Sequence, residues 1–181
     1  MITEVQFLGQ RDACAFRATK PTFAISITNS GAKQANLRRI EFQGILRLEF
    51  DDVNESMAGL EVTDVPDLLV GHESGRRIMI NGNEYCDYND AKKILAFTEM
   101  VADSQDAYAI MVHCEVGASR SAAVAKFINR FYGADLIIGQ HDGSQANTRL
   151  ARLLDKVSAQ EQPALGELPP GILNLRKLGR P

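Results

Sequence analysis

Short apolar runs alternate with stretches of helical spacing along most of this chain. Phe23–Ile27 is apolar apart from Ser26 and is closed by Asn29-Ser30-Gly31, a pattern that predicts a short buried strand followed by a turn. Ile45–Phe50 alternates apolar and polar positions and predicts a second strand, which runs straight into Asp51-Asp52. From Val53 to Cys86 the periodicity is weak. Its clearest feature is Arg77-Ile78-Met79-Ile80 followed by Asn81-Gly82, the dipeptide of a tight hairpin turn. Asn89 is placed to cap a helix from Asp90 to about Ala102, with Ile94, Leu95, Phe97, Thr98 and Val101 along one side. Ala107–His113 predicts a buried central strand. Ala118–Phe131 predicts a helix packing through Ala122, Ala123, Ala125, Phe127 and Ile128, with Gly133 as its stop. A last helix is expected over Asn147–Val157, carrying Leu150, Leu153 and Leu154.

Strands alternating with helices imply an α/β fold, with a central, mostly parallel sheet flanked by helices. Residues 1–160 fit one domain of ordinary size. Pro163, Pro169, Pro170 and Pro181 then suggest an irregular tail over 161–181. The apolar share of 45% and charged share of 24% are those of a soluble globular protein. A net charge of −3 argues against a protein built to coat nucleic acid. No window approaches the roughly 18 apolar residues of a membrane span, and Met1-Ile2-Thr3-Glu4 does not open a secretory signal. Cys14, Cys86 and Cys114 form no CxxC pair, so neither a zinc site nor a disulfide framework is expected. These features together suggest a cytoplasmic setting, where a thiol stays usable; the oligomeric state is left open.

The chemistry concentrates in His113-Cys114-Glu115-Val116-Gly117-Ala118-Ser119-Arg120-Ser121. A strand ends at a thiol, a loop with one glycine follows, and a helix begins. Five residues between Cys114 and Arg120 let the backbone wrap its N–H groups around an anion, with the sulfur at the floor and the helix dipole adding positive potential. Arg120 can then grip two oxygens of a phosphate, which a lysine could not reproduce. The same surroundings favour thiolate, making Cys114 a competent nucleophile. Ser121 can donate a hydrogen bond to that thiolate, and His113 can orient the loop. The Cys–Arg spacing alone is a weak signal; the strand–loop–helix context makes it a strong one.

These nine residues resemble the signature loop of protein tyrosine phosphatases, closest to the compact dual-specificity type. Ala24-Ile25-Ser26-Ile27, Leu48-Glu49-Phe50-Asp51-Asp52-Val53, Ala91–Phe97 and the Asn147/Leu150 pair look like further pieces of a bacterial or phage subgroup, spanning roughly residues 23–155. The resemblance implies a phosphocysteine mechanism without metal or organic cofactor: Cys114 as nucleophile, Arg120 as clamp, and an Asp that protonates the leaving oxygen and later activates water. His113, Glu115, Val116, Gly117, Ala118, Ser119 and Ser121 would then line the phosphate site. Asp52 is the first choice for the acid and Asp51 the second, with Asp64, Asp67 and Asp87 also open. In the compact enzymes the acid stands closer to the cysteine than Asp52 does, and an insertion over Val53–Asp87 accounts for the distance.

The implied substrate is a phosphorylated protein or a small phosphomonoester. Phosphoinositides and nucleotides lie within the same chemistry. A catalytically silent phosphate-binding module is the alternative of a different class, against which the intact Cys114 and Arg120 speak. Sulfur or arsenate chemistry also uses cysteine loops, but His113 and the Ser-Arg-Ser ending favour phosphate. Cys14 and Cys86 are expected to be structural.

Overall fold

A computed structural model of the chain describes residues 1–64, 67 and 78–161. Its centre is a five-stranded sheet in which every pairing is parallel. The strands are β1 (Ile2–Gly9), β2 (Thr22–Thr28), β3 (Ile45–Glu49), β6 (Tyr108–Cys114) and β7 (Asp135–Ile137), in the order β3-β2-β6-β1-β7. The helices are α1 (Gln10–Ala15), α2 (Tyr88–Ala102), α3 (Arg120–Tyr132) and α4 (Thr148–Glu161). A separate antiparallel hairpin, β4 (Ile78–Ile80) and β5 (Asn83–Tyr85), turns through Asn81 and Gly82 at φ 52° and 79°. Both residues sit in the left-handed region that a two-residue hairpin turn demands, which is why Asn-Gly signals it. The expected α/β class with a parallel sheet flanked by helices is the fold observed.

Side chains of the central strand β6 alternate between two apolar layers. Ile110, Val112 and Cys114 enter the main core with Ile25, Ile27, Leu48 and Phe50 from the sheet and Ile94, Leu95, Phe127, Ile128, Leu150 and Leu153 from the helices. Met111 faces a smaller cluster with Ala13, Ala24, Ala35, Leu37 and Phe42, contributed by α1, β2 and the connection from β2 to β3. Sequestering each of the larger aliphatic side chains contributes about 1.5–3 kcal/mol. No helix among the described residues is long and apolar enough to cross a membrane.

The starts of α2 and α3 differ from the sequence reading. The cap of α2 is Asp87, not Asn89: its carboxylate accepts from the Asp90 N–H at 3.0 Å, and the Asp90 carboxylate accepts from the Asp87 N–H at 3.2 Å. This reciprocal box satisfies two donors at once, more than Asn89 could offer from within the first turn. Helix α3 begins at Arg120 rather than Ala118, because residues 115–119 are drawn into the loop beneath it. Strands β1 and β7 were not foreseen. Gly133 ends α3 at φ 70°, as expected. The tail over 161–181, apart from the end of α4, lies outside the described residues, as do Arg77 and most of 65–77.

Because the sheet is parallel, the ends of β1, β2, β3 and β6 all open on one edge. Gly9, Asn29, Phe50–Asp52 and Cys114 meet there.

Candidate active site

Cys114 is the last residue of β6 and is fully buried. Two groups converge on its sulfur: the Gly117 N–H, which donates at 3.3 Å, and the Ser121 hydroxyl, whose oxygen is 3.2 Å away. The first comes from the loop and the second from the first turn of α3, so the chain has turned back over the thiol between them. Gly117 makes this reversal at φ 89°. The loop is braced from below by the junction of β1 and α1, where the Gln10 N–H donates to the Glu115 carbonyl at 3.0 Å.

Ser119 occupies the N-cap position of α3, yet its side chain caps nothing. Its hydroxyl donates instead to Asp52 Oδ1 at 2.6 Å. A serine at this position ordinarily spends its oxygen on the helix's own N–H groups. With the hydroxyl diverted, the positive end of α3 is left facing the loop, the arrangement that receives an anion.

Arg120 is 1% exposed. Its Nη1 donates to the Phe50 carbonyl at 2.7 Å, anchoring the guanidinium to the end of β3. Its Nε is buried and has no hydrogen-bond partner among the described residues; the nearest anionic atom is Asp52 Oδ2 at 3.7 Å. Leaving a buried donor unbonded costs about 1–3 kcal/mol, so this nitrogen has capacity for a further acceptor.

His113 points to the opposite face of the sheet from Cys114. Its Nε2 lies 2.8 Å from Ser26 Oγ on β2, and its Nδ1 lies 3.4 Å from the Cys114 carbonyl. Burial pushes its pKa down to about 4, the Arg47 and Arg120 charges add to this, and the bond to Cys114 opposes it. The ring is therefore neutral near pH 7, with Nδ1–H donating to the Cys114 carbonyl and Nε2 accepting from Ser26.

The structure thus brings Cys114, Gly117, Ser119, Arg120, Ser121 and Asp52 together. The other residues of the loop are arranged differently. Glu115 is exposed and accepts from Asn29 Nδ2 at 2.6 Å, Val116 is 62% exposed, and Ala118 is buried. His113 steadies the backbone from beneath instead of lining the loop.

The neighbouring aspartates are separated by their partners. Asp51 is spent on the scaffold: Oδ1 accepts from the Ser30 N–H at 3.1 Å and Oδ2 from the Glu84 N–H at 2.8 Å. Its own N–H donates to the Glu84 carbonyl, also at 2.8 Å. Asp87 caps α2, and Asp67 pairs with Arg152 and Lys156, the charges and hydrogen bonds of which hold its carboxyl below the usual range against the opposing effect of burial. The side chain of Asp64 lies outside the described residues. Burial lifts the Cys86 thiol to about 12, leaving it inert, and all three cysteines are free.

The sequence reading assigned no site role to Asn147, Gly9, Ser26 or the Phe50 carbonyl. Asn147 carried the N-cap signal, an Asn just before a helix of apolar spacing, but the second end of its amide has no signature. A carbonyl and a close backbone approach leave no trace in residue type at all.

The chain matches no protein-family model, no curated protein and no solved structure, so its function has to be read from these side chains.

Proposed function

We propose that this protein is a cysteine-dependent phosphatase of the protein tyrosine phosphatase superfamily, hydrolysing phosphomonoesters on protein through a phosphocysteine. The observation that carries the reading is the buried Arg120 Nε, a donor without a hydrogen-bond partner among the described residues, in the same turn as a thiol on which the Gly117 N–H and the Ser121 hydroxyl converge. A phosphate supplies what this arrangement lacks: acceptor oxygens for Arg120 and the α3 terminus, and an electrophilic centre above the sulfur.

In this reaction the Cys114 thiolate attacks phosphorus in line, and the bond to the ester oxygen breaks as the S–P bond forms. Asp52 gives its proton to the departing oxygen, releasing an alcohol or phenol. The same carboxylate then takes a proton from water as that water attacks phosphorus, the S–P bond breaks, and inorganic phosphate leaves. The Ser121 hydroxyl stabilises the thiolate both before attack and as it departs. Asp52 is favoured over Asp51 because it shares a hydrogen bond with Ser119 of the loop, while both Asp51 oxygens are held by main-chain N–H groups.

Hydrolysis of p-nitrophenyl phosphate and of phosphotyrosyl and phosphoseryl peptides tests the reading. Turnover is expected from the wild type and none from Cys114→Ser. Tight phosphate binding without turnover in the wild type would favour a silent binding module instead. Activity confined to phosphoinositides or nucleotides would keep the chemistry and replace the protein substrate.

A further inference from the structure

Asn147 is 1% exposed, and its polar groups divide between the site and the first turn of α4. Its side-chain Nδ2 donates to Asp52 Oδ1 at 3.0 Å and also lies 3.2 Å from the Val53 carbonyl, so one amide grips both a carboxylate and the main chain behind it. Its Oδ1 accepts from the Leu150 N–H at 3.0 Å, fixing the amide to the first turn of α4. Its own N–H donates to the Ser119 carbonyl at 3.2 Å. Ser119 in turn bonds Asp52 through its hydroxyl. Asp52, Ser119 and Asn147 therefore close a ring in which each touches the other two.

The segment after Asp52 has no regular structure up to Glu55, and a carboxylate on such a stretch is free to swing. Helix α4 restrains it a second time through a buried ion pair between Arg149 Nη1 and Glu55 Oε1, 2.6 Å apart. Both restraints issue from the first residues of one rigid element. An acid that must meet a leaving oxygen at hydrogen-bond distance gains from being held in this way.

We propose that Asn147 is a positioning residue, setting the Asp52 carboxylate beside the phosphate loop so that it can protonate the leaving group. The assignment rests on the phosphatase reading above, with Asp52 as acid. Asn147 touches no reacting atom; it acts through Asp52. Its two ends do separable jobs, since Oδ1 caps α4 and Nδ2 holds Asp52. Asn147→Asp keeps an acceptor for the cap and removes the donor, and Asn147→Ser keeps a cap but loses the reach.

The test compares wild type with both variants on p-nitrophenyl phosphate, whose phenolate leaves without help, and on phenyl phosphate, whose leaving group needs a proton. The alkylation rate of Cys114 by iodoacetate is measured alongside. The proposal expects the ratio of kcat on the two substrates to widen roughly tenfold or more, a part of the roughly 10²–10⁴ that a general acid supplies. KM and the alkylation rate should stay near wild type. Folded variants with an unchanged kcat ratio would overturn the role of Asn147 while leaving the phosphatase reading intact. A wild type that hydrolyses neither ester overturns both. If Asn147→Ser does not fold, Asn147→Asp carries the comparison through its retained cap; a uniform loss on both esters, with slowed alkylation, would mark Asn147 as merely structural.

Discussion

Gly117 of the loop after Cys114 lies directly against Gly9 at the end of β1. A Cβ on Gly117 would meet the Gly9 main chain, 2.9 Å from its Cα and closer still to its nitrogen, and a Cβ on Gly9 would lie 2.8 Å from the Val116 carbonyl oxygen. Two glycines distant in sequence thus let the loop settle on the sheet edge with its N–H turned toward Cys114. Gly117 is constrained twice, since φ 89° is a conformation that side chains resist. Gly117→Ala is expected to destabilise the fold by about 2 kcal/mol or more, from strain and overpacking together. Phosphatase activity should fall further than stability alone explains. Urea unfolding and p-nitrophenyl phosphate turnover check this; an alanine variant with wild-type values of both would contradict the packing described.

Arg120→Lys is expected to lower kcat/KM roughly 10²–10³-fold, the scale of losing an oriented donor to the transition state. A lysine keeps the charge but has neither the flat fork nor an equivalent of Nε. Steady-state kinetics measure the effect. A loss below tenfold would mean that Arg120 does not contact the transferring phosphoryl group.

The two adjacent aspartates should separate by assay. Asp52→Asn is expected to reduce kcat most for esters with poor leaving groups and to leave stability little changed. Asp51→Ala should do the reverse. It strands the Ser30 and Glu84 N–H groups, costing about 1–3 kcal/mol in urea unfolding, with no selective effect on poor leaving groups. If the leaving-group effect follows Asp51 instead, the roles of the two residues are exchanged.

His113 makes the fold sensitive to acid. Its ring has a pKa of about 4 in the folded protein against an ordinary 6.5, so between these values the unfolded chain binds a proton that the folded chain refuses. Stability contributed by this residue is therefore full above about pH 6.5 and is lost as the pH falls toward 4. The loss amounts to a few kcal/mol, at 1.36 kcal/mol for each pKa unit. His113→Gln carries no titrating ring, and its stability relative to wild type should improve by that amount between pH 7 and pH 4.5. Parallel urea-stability curves for the two proteins across this range would contradict it.

The grouping of the candidate site residues was legible because it is local. One strand end, one loop and one helix start hold Cys114, Gly117, Ser119, Arg120 and Ser121 within eight consecutive residues, and Asp52 follows a readable strand. What escaped was set by tertiary contacts. Strand β1 carries Glu4 and Gln6 on only partly buried positions between Ile2, Val5 and Phe7, so it lacks the continuous apolar run by which inner parallel strands are recognised. Yet it pairs with β6 from Ile2 to Gly9 and supplies the platform for the loop. Strand β7 has only three residues, two of them exposed, and needs β1 beside it to exist. What sets Asp51 apart from Asp52 was equally closed to sequence, since no residue type marks that the Ser30 and Glu84 N–H groups occupy the Asp51 carboxylate.

The most direct measurement is to denature the protein during incubation with p-nitrophenyl phosphate and locate phosphorus on the chain by peptide mass spectrometry. A phosphoryl group on Cys114 in the wild type, absent from Cys114→Ser, which should also be inactive, is the predicted result. Continued turnover by Cys114→Ser, or phosphorus accumulating on a different residue, would contradict it.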